Sequence, residues 1–173
     1  VQAVSLGEVR ASAELVESLL KAFPKSKVLI TSTTPSGSAE VRRLFGDRVK
    51  HSLMPYDSTL VVRSALSQIC PKAVIFMETE IWPVLLDELN KRGIPSFLVN
   101  GRMSSKSAIG YLRFSALTKY LFGYLDTVYA QYESDRDNFI SLGVQPESVK
   151  LMGNLKFDSS LPRDLPERVR SME

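Results

Sequence analysis

Residues 73–80 of this chain read Ala-Val-Ile-Phe-Met-Glu-Thr-Glu, an apolar run that is followed at once by acidic residues. A strand that is apolar at every position is typical of a parallel sheet covered by helices on both faces. Short β-branched runs alternate with amphipathic helical stretches on both sides of this strand, which predicts an α/β fold with a mostly parallel sheet. The predicted strands are 1–6, 28–31, 49–53, 73–77, 96–99, 127–130 and 149–152, and the predicted helices are 8–22, 36–45, 59–69, 82–91, 107–120 and 133–142.

Length and composition predict one ordinary globular domain. The chain has 173 residues, of which 44% are hydrophobic and 24% are charged, and a domain of this size buries a core without disulfides. The only cysteine, Cys70, and the only histidine, His51, exclude an internal disulfide and any site that needs several imidazoles. His51 is expected to be a packed or surface residue, and Cys70 is expected to pack at a helix end. The chain opens at Val1 inside an apolar segment, so we expect an excised or incomplete chain.

Charge and motifs exclude several functional classes. The formal net charge is +3 with scattered basic residues, so nothing predicts a nucleic-acid-binding tail, although a mildly basic surface suits an anionic lipid or a phosphorylated ligand. Neither G-x-G-x-x-G after the first strand nor G-x-x-x-x-G-K-[ST] occurs, which argues against a dinucleotide oxidoreductase and a P-loop nucleotidase. No apolar run approaches the ~20 residues of a membrane span, and no signal peptide is visible.

Polar residues and glycines gather directly after the predicted strands, where open parallel sheets bind their ligands. If the first five predicted strands, counted along the chain, lie in the order 3-2-1-4-5 across the sheet, the first and fourth strands are neighbours. Glu8 and Glu78 then face one crevice. The candidate substrate-binding residues are Ser5, Gly7, Thr33, Thr34, Glu80, Asn100, Arg102, Gln131, Asn154 and Lys156.

Each candidate also has a plain structural interpretation. Glu8 is either a general base or an acidic residue that complements a helix dipole. Glu78 and Glu80 are either solvated turn residues or acid–base groups whose like charges raise one pKa. Arg102 binds an anion or forms a surface salt bridge, and Lys156 binds a ligand or belongs to a hinge.

Five segments in order along the chain resemble the bacterial 3-deoxy-D-manno-octulosonic acid (Kdo) transferases. They are Ala3–Arg10 (AVSLGEVR), Thr31–Gly37 (TSTTPSG), Met77–Pro83 (METEIWP), Asn100–Ser104 (NGRMS) and Gly153–Asp158 (GNLKFD). The resemblance implies a GT-B glycosyltransferase built from two Rossmann-like halves. It implies that residues 1–158 form the acceptor-binding N-terminal domain and that residues 159–173 begin the linker to an absent C-terminal domain for CMP-Kdo. The family's hydrophobic N-terminal anchor is also expected to be missing, so the isolated chain is expected to be inactive.

The resemblance also implies an activity and its residues. The family transfers Kdo from CMP-Kdo to a primary hydroxyl of the lipid A disaccharide precursor, with inversion, in lipopolysaccharide biosynthesis. Glu8 then matches the catalytic base and Glu78 an acidic residue needed for activity, while Arg102 and the helix start at Gly7 are candidates for contacts to acceptor phosphate.

No cofactor, metal or nucleic acid is expected. The implied partners are the lipid A precursor, CMP-Kdo through the absent domain, and an anionic membrane surface. The parent protein is expected at the cytoplasmic face of the bacterial inner membrane, and this chain by itself is expected to be soluble. The alternative is a non-catalytic module that binds a phosphorylated glycolipid.

Overall fold

A computed structural model describes residues 1–54 and 56–155, which fall into two compact units. The first unit is Val1–Met54, with which Asn154 and Leu155 are grouped, and the second is Pro55–Gly153. The predicted domain boundary between residues 158 and 159 lies outside the described residues and stays a prediction.

The first unit contains a short parallel sheet with helices. Its elements are α1 (Leu6–Ala11), α2 (Ala13–Ala22), β1 (Leu29–Ser32), α3 (Pro35–Phe45), a 3₁₀ turn (Gly46–Arg48) and β2 (Lys50–Leu53). Strand β1 pairs with β2 in parallel, with Leu29 opposite Lys50. Gln2 forms a parallel bridge to Thr31. The first segment therefore lies beside β1, in the relative order expected for the first three strands, but as an isolated bridge instead of a strand.

The second unit contains a four-stranded parallel sheet in the order β3-β4-β5-β6. Its elements are α4 (Thr59–Ile69), β3 (Val74–Met77), α5 (Pro83–Lys91), β4 (Ser96–Gly101), α6 (Ser105–Leu112), α7 (Ser115–Phe122), β5 (Thr127–Ala130), α8 (Glu133–Ser141), a 3₁₀ turn (Pro146–Ser148) and β6 (Val149–Leu151). The expectation of a buried central strand is confirmed, since Phe76 and Met77 are fully buried. Large fully buried side chains on the strands and helices form the core of this unit, among them Phe97, Phe122, Tyr129 and Phe139.

Two predicted helices are each divided in two. Ser5 is the N-cap residue of α1, because its hydroxyl accepts a hydrogen bond from the Glu8 amide, and the helix therefore begins at Leu6 instead of Glu8. Ser12 separates α1 from α2. The predicted helix 107–120 is interrupted at Phe114, whose φ of −115° and ψ of 47° are not helical. There the Thr118 hydroxyl donates to the carbonyl of Tyr111, which gives an α6 acceptor a partner across the break.

Candidate functional site

Glu8 is buried at the start of α1 and its carboxylate is held on both oxygens. The residue is 6% exposed. Its Oε2 accepts the Val4 amide at 2.8 Å, and its Oε1 accepts the Ser5 hydroxyl at 2.8 Å. The Ser5 Oγ in turn accepts the Glu8 amide at 3.3 Å, so this amide already has an acceptor. Glu8 therefore lies in the first turn of a helix, as its plain structural interpretation expects. The contacts with Val4 and Ser5 fix the direction of its carboxylate.

Thr33 lies against the same peptide segment. The Thr33 amide and hydroxyl both donate to the Val4 carbonyl, each at 3.1 Å, while the Val4 amide donates to Glu8. Thr34 is the N-cap residue of α3, where its Oγ1 accepts the Gly37 amide at 3.1 Å. The first unit thus brings together Ser5, Gly7, Glu8, Thr33 and Thr34 after its first segment and β1. We call these five residues the N-terminal cluster.

An ion-pair network connects the helix that carries Glu8 to α3. Arg10 of α1 contacts Glu40 at 2.7 Å, and Arg43 contacts the same carboxylate at 2.8 Å. Hydrogen bonds from Arg43 and Arg10 lower the pKa of Glu40 to about 2. Because Glu40 is 5% exposed, its two arginines supply the compensation that a buried carboxylate requires.

Glu78 and Asn100 hold the left-handed backbone conformation directly at the ends of adjacent strands. Their φ angles are 55° and 59°, and in residues 1–54 and 56–155 Cys70 is the only other non-glycine residue with a positive φ. The Glu78 amide donates to the Val99 carbonyl at 2.9 Å, and the register of β4 on β5 shifts between Leu98 and Gly101. Such strained positions gather at functional sites, where the surrounding structure holds them in place.

Side chains that follow β3 and β5 bind the main chain at the end of β4 and just after it, at this edge of the second unit. The Thr79 hydroxyl contacts both the amide and the carbonyl of Arg102. The Gln131 amide donates to the Asn100 carbonyl at 3.1 Å. Asp135 accepts the Met103 amide at 2.8 Å and is itself 5% exposed. The loops after β3, β4 and β5 therefore form one connected surface.

The remaining groups of this surface differ in exposure. Glu80 is half-buried and accepts the Trp82 indole N–H at 3.3 Å, while Arg102 is exposed. Asn100 is fully buried and Gln131 is 7% exposed. The second unit thus brings together Glu78, Glu80, Asn100, Arg102 and Gln131, as expected from their positions after parallel strands, and we call them the strand-end cluster.

The remaining residues discussed from the sequence belong to neither cluster or lie outside the described residues. Asn154 is half-buried, and Lys156 lies outside the described residues. A common crevice for Glu8 and Glu78 stays a prediction. His51 packs as expected, with its Nε2 at 3.1 Å from the buried Ser32 hydroxyl, and burial lowers its pKa. Cys70 is exposed at the end of α4 instead of packed.

Three residues that support the strand-end cluster were missed by the sequence analysis: Asp57, Thr79 and Asp135. Asp57 accepts the amides of Val84 and Leu85. The position of Asp135 at the third residue of a predicted helix was a signal, since acidic residues favour the first helical turn. Thr79 has the position of the candidates after the predicted strand 73–77, whereas Asp57 has no such local signal.

Residues 1–54 and 56–155 contain neither a membrane-spanning helix nor a group of metal-binding side chains. No helix in these ranges is both long and apolar enough to cross a bilayer. No three or more His, Cys, Asp or Glu side chains there are grouped as metal ligands would be.

Comparison with known families then assigns the chain. Residues 1–159 match the family model described as 3-deoxy-D-manno-octulosonic-acid transferase (kdotransferase). The chain belongs to this family. It is 32% identical to the 3-deoxy-D-manno-octulosonic acid transferase of Haemophilus influenzae over 99% of its length, and 39% identical to that of Bordetella pertussis over 94%. It spans 40% and 38% of the lengths of those two Kdo transferases.

Solved structures support the fold of this Kdo transferase family member. The UDP-GlcNAc 2-epimerase of Neisseria meningitidis aligns with a TM-score of 0.65 and 17% identity, covering 91% of this chain and 47% of the epimerase. A putative UDP-N-acetylglucosamine 2-epimerase of Listeria monocytogenes aligns with a TM-score of 0.63 and 13% identity, covering 88% of this chain and 43% of the other. Identities this low show the fold alone, which is the expected GT-B-like α/β arrangement.

Proposed function

We propose that this chain is the acceptor-binding part of an inverting Kdo transferase, which transfers Kdo from CMP-Kdo to a primary hydroxyl of the lipid A disaccharide precursor. The observation that carries the proposal is the family match over residues 1–159, which includes both clusters and Lys156. CMP-Kdo is bound mainly by the C-terminal part of the complete protein. The candidate substrate contacts are the ones named from the sequence, from Ser5 to Lys156.

Glu8 is the general base of the proposed reaction. Its carboxylate takes the proton of the acceptor hydroxyl while that oxygen attacks the anomeric carbon of Kdo. The CMP group leaves from the opposite face, so the configuration inverts. The contacts from Val4 and Ser5 hold the Glu8 carboxylate in one orientation, as proton transfer in a transition state requires.

Glu78 has an electrostatic or orienting role in the same reaction. Positive charge develops on the sugar ring as the bond to CMP breaks, and a fixed carboxylate stabilises such a centre. The left-handed backbone of Glu78 and the neighbouring contact between Thr79 and Arg102 support this role, because they hold the loop in one conformation. Arg102 is exposed and is the proposed contact for acceptor phosphate, which a guanidinium binds with two hydrogen bonds.

The test uses the complete protein with Glu8→Gln, which keeps a hydrogen-bond acceptor and removes the base. We expect kcat to fall by about 10²–10⁴-fold, the usual contribution of a general base. Glu40→Gln is the matched control, because Glu40 is equally buried in the same unit and is not a proposed base. A Glu8→Gln enzyme with wild-type turnover refutes the assignment.

We further propose that α6 and α7 contact the anionic membrane surface. The segment Arg102–Leu125 contains no Asp or Glu and has the cations Arg102, Lys106, Arg113 and Lys119. It also exposes apolar side chains: Phe114 by 72%, Ile109 by 63%, Leu117 by 58% and Tyr120 by 55%. Helices with exposed apolar residues and flanking cations bind the interface of anionic bilayers. This contact would place the lipid acceptor beside Arg102.

Vesicle binding tests this contact. We expect the double variant Phe114→Ser, Leu117→Ser to bind phosphatidylglycerol vesicles at least about tenfold more weakly, since each apolar side chain contributes about 1.5–3 kcal/mol when fully buried. The control Tyr56→Ser, Leu60→Ser removes side chains that are 88% and 82% exposed outside the segment and should leave binding unchanged. Equal losses in both double variants would refute the proposal.

A further inference from the structure

The loop from Glu78 to Trp82 leads into a helix that its own N-cap residue does not cap. Helix α5 begins at Pro83, and the side chain of its N-cap residue, Trp82, makes no capping hydrogen bond among the described residues. The amides of the first helical turn have no acceptor within the helix itself. They therefore need a partner from another part of the chain.

Asp57 is that partner. Its Oδ2 accepts the Val84 amide at 3.1 Å and its Oδ1 accepts the Leu85 amide at 2.9 Å. Asp57 precedes α4 and lies 27 residues before Val84, so the contact joins two separate segments of the second unit. A carboxylate at this position also complements the positive end of the helix dipole.

The loop is consequently held at both ends. At its beginning, the Glu78 amide binds the Val99 carbonyl, and Thr79 contacts the main chain of Arg102. At its end, Asp57 holds the first turn of α5. Glu78 lies at the first of these anchors and Glu80 lies between the two; they are the two acidic residues of the strand-end cluster.

We infer that Asp57 is a positioning residue for the loop that carries Glu78 and Glu80, acting through its two hydrogen bonds to the start of α5. This inference rests on the proposed function, because the loop is expected to serve Kdo transfer. A displacement of about 1 Å at a reacting group lowers turnover by about 10²-fold, so a small shift of this anchor is sufficient to impair the reaction.

The chain offers a matched control in a second connection between α4 and α5. Arg63 of α4 contacts Glu88 of α5 at 2.9 Å. This pair joins α4 to α5, close to the Asp57 contact, but does not touch the loop. Arg63→Ala therefore reports the effect of loosening the helix pair without releasing the loop.

The experiment compares Asp57→Ala, Asp57→Asn and Arg63→Ala in the complete protein by Kdo transfer, thermal unfolding and the indole ¹H–¹⁵N resonance of Trp82. The resonance is assigned as the one absent from Trp82→Phe. We expect Asp57→Ala to lower kcat at least about tenfold, leave KM for CMP-Kdo unchanged and shift the Trp82 resonance. Asp57→Asn keeps one carbonyl acceptor and should recover most of the turnover. Arg63→Ala should keep both turnover and the resonance, whatever its loss of Tm.

Two results overturn the inference. One is an Asp57→Ala protein that keeps wild-type turnover and the wild-type Trp82 resonance. The other is an equal loss of turnover in Asp57→Ala and Arg63→Ala at equal loss of Tm, which would make Asp57 an ordinary connection between two helices. If Asp57→Ala does not fold, Asp57→Asn is judged by the same criteria. A wild-type protein without Kdo transfer refutes the proposed function instead, and the resonance then tests Asp57 alone.

Discussion

Glu78 holds a backbone conformation that glycine adopts without a penalty, so glycine and alanine at this position should differ in a predictable direction. The φ of Glu78 is 55°. A left-handed residue with a Cβ costs about 1–2 kcal/mol, whereas glycine loses about 0.4–1 kcal/mol more conformational entropy on folding. The backbone strain of alanine at this position is larger than the additional entropy cost of glycine. We therefore expect Glu78→Gly to be more stable than Glu78→Ala by about 1 kcal/mol. Both variants lose the carboxylate, so the comparison isolates the backbone.

Thermal unfolding followed by circular dichroism measures this difference. For a chain of this size, about 1 kcal/mol corresponds to about 2–4 °C in Tm. Thr79 is the matched control, because its φ is not positive and both of its variants lose the contact with Arg102. At position 79 the order of stability should reverse, with Thr79→Gly less stable than Thr79→Ala by about 0.4–1 kcal/mol. A Glu78→Ala protein as stable as Glu78→Gly would refute the reasoning about strain at the end of β3.

Two further predictions concern stability. Hydrogen bonds from Arg43 and Arg10 lower the pKa of Glu40 to about 2 from an ordinary value of 4.5, so its contribution is complete above 4.5 and is lost as the pH falls towards 2. In urea unfolding across this range, Glu40→Gln should flatten the acid limb, and an unchanged limb would contradict the assignment. Gly143→Ala should destabilise by at least about 2 kcal/mol, because φ is 113° and the new Cβ would lie 2.7 Å from the backbone of α7. Gly93→Ala, with φ of 64° and open space around the Cβ, should lose less in the same thermal assay.

The fold was largely predictable from the sequence because its signals are local. The apolar run 73–77 contains β3 (Val74–Met77), and the predicted helices 82–91 and 133–142 correspond to α5 (Pro83–Lys91) and α8 (Glu133–Ser141). The divisions at Ser12 and Phe114 were not predictable from periodicity. The apolar stripe continues through both breaks, and contacts such as that between Thr118 and Tyr111 decide where the backbone leaves the helix.

The strand-end cluster was predictable for a different reason. Parallel strands end at the same edge of a sheet, so Glu78, which directly follows β3, and Asn100, which lies near the end of β4, lie together once the strand order is known. The supporting contacts were not predictable. Asp57 finds its amides 27 residues away, and nothing in the residues around Asp57 indicates that helix.

The sequence by itself determined the α/β class, the family and which residue types follow each strand, since these depend on neighbours a few positions apart and on motifs in register. Only the tertiary structure decided that the Glu8 carboxylate is held by Val4 and Ser5, that Glu78 takes a left-handed backbone, and that Asp57 caps a distant helix. These features depend on which buried donors and acceptors meet when the chain packs. Most buried polar groups have a hydrogen-bond partner, and packing selects which one each group finds.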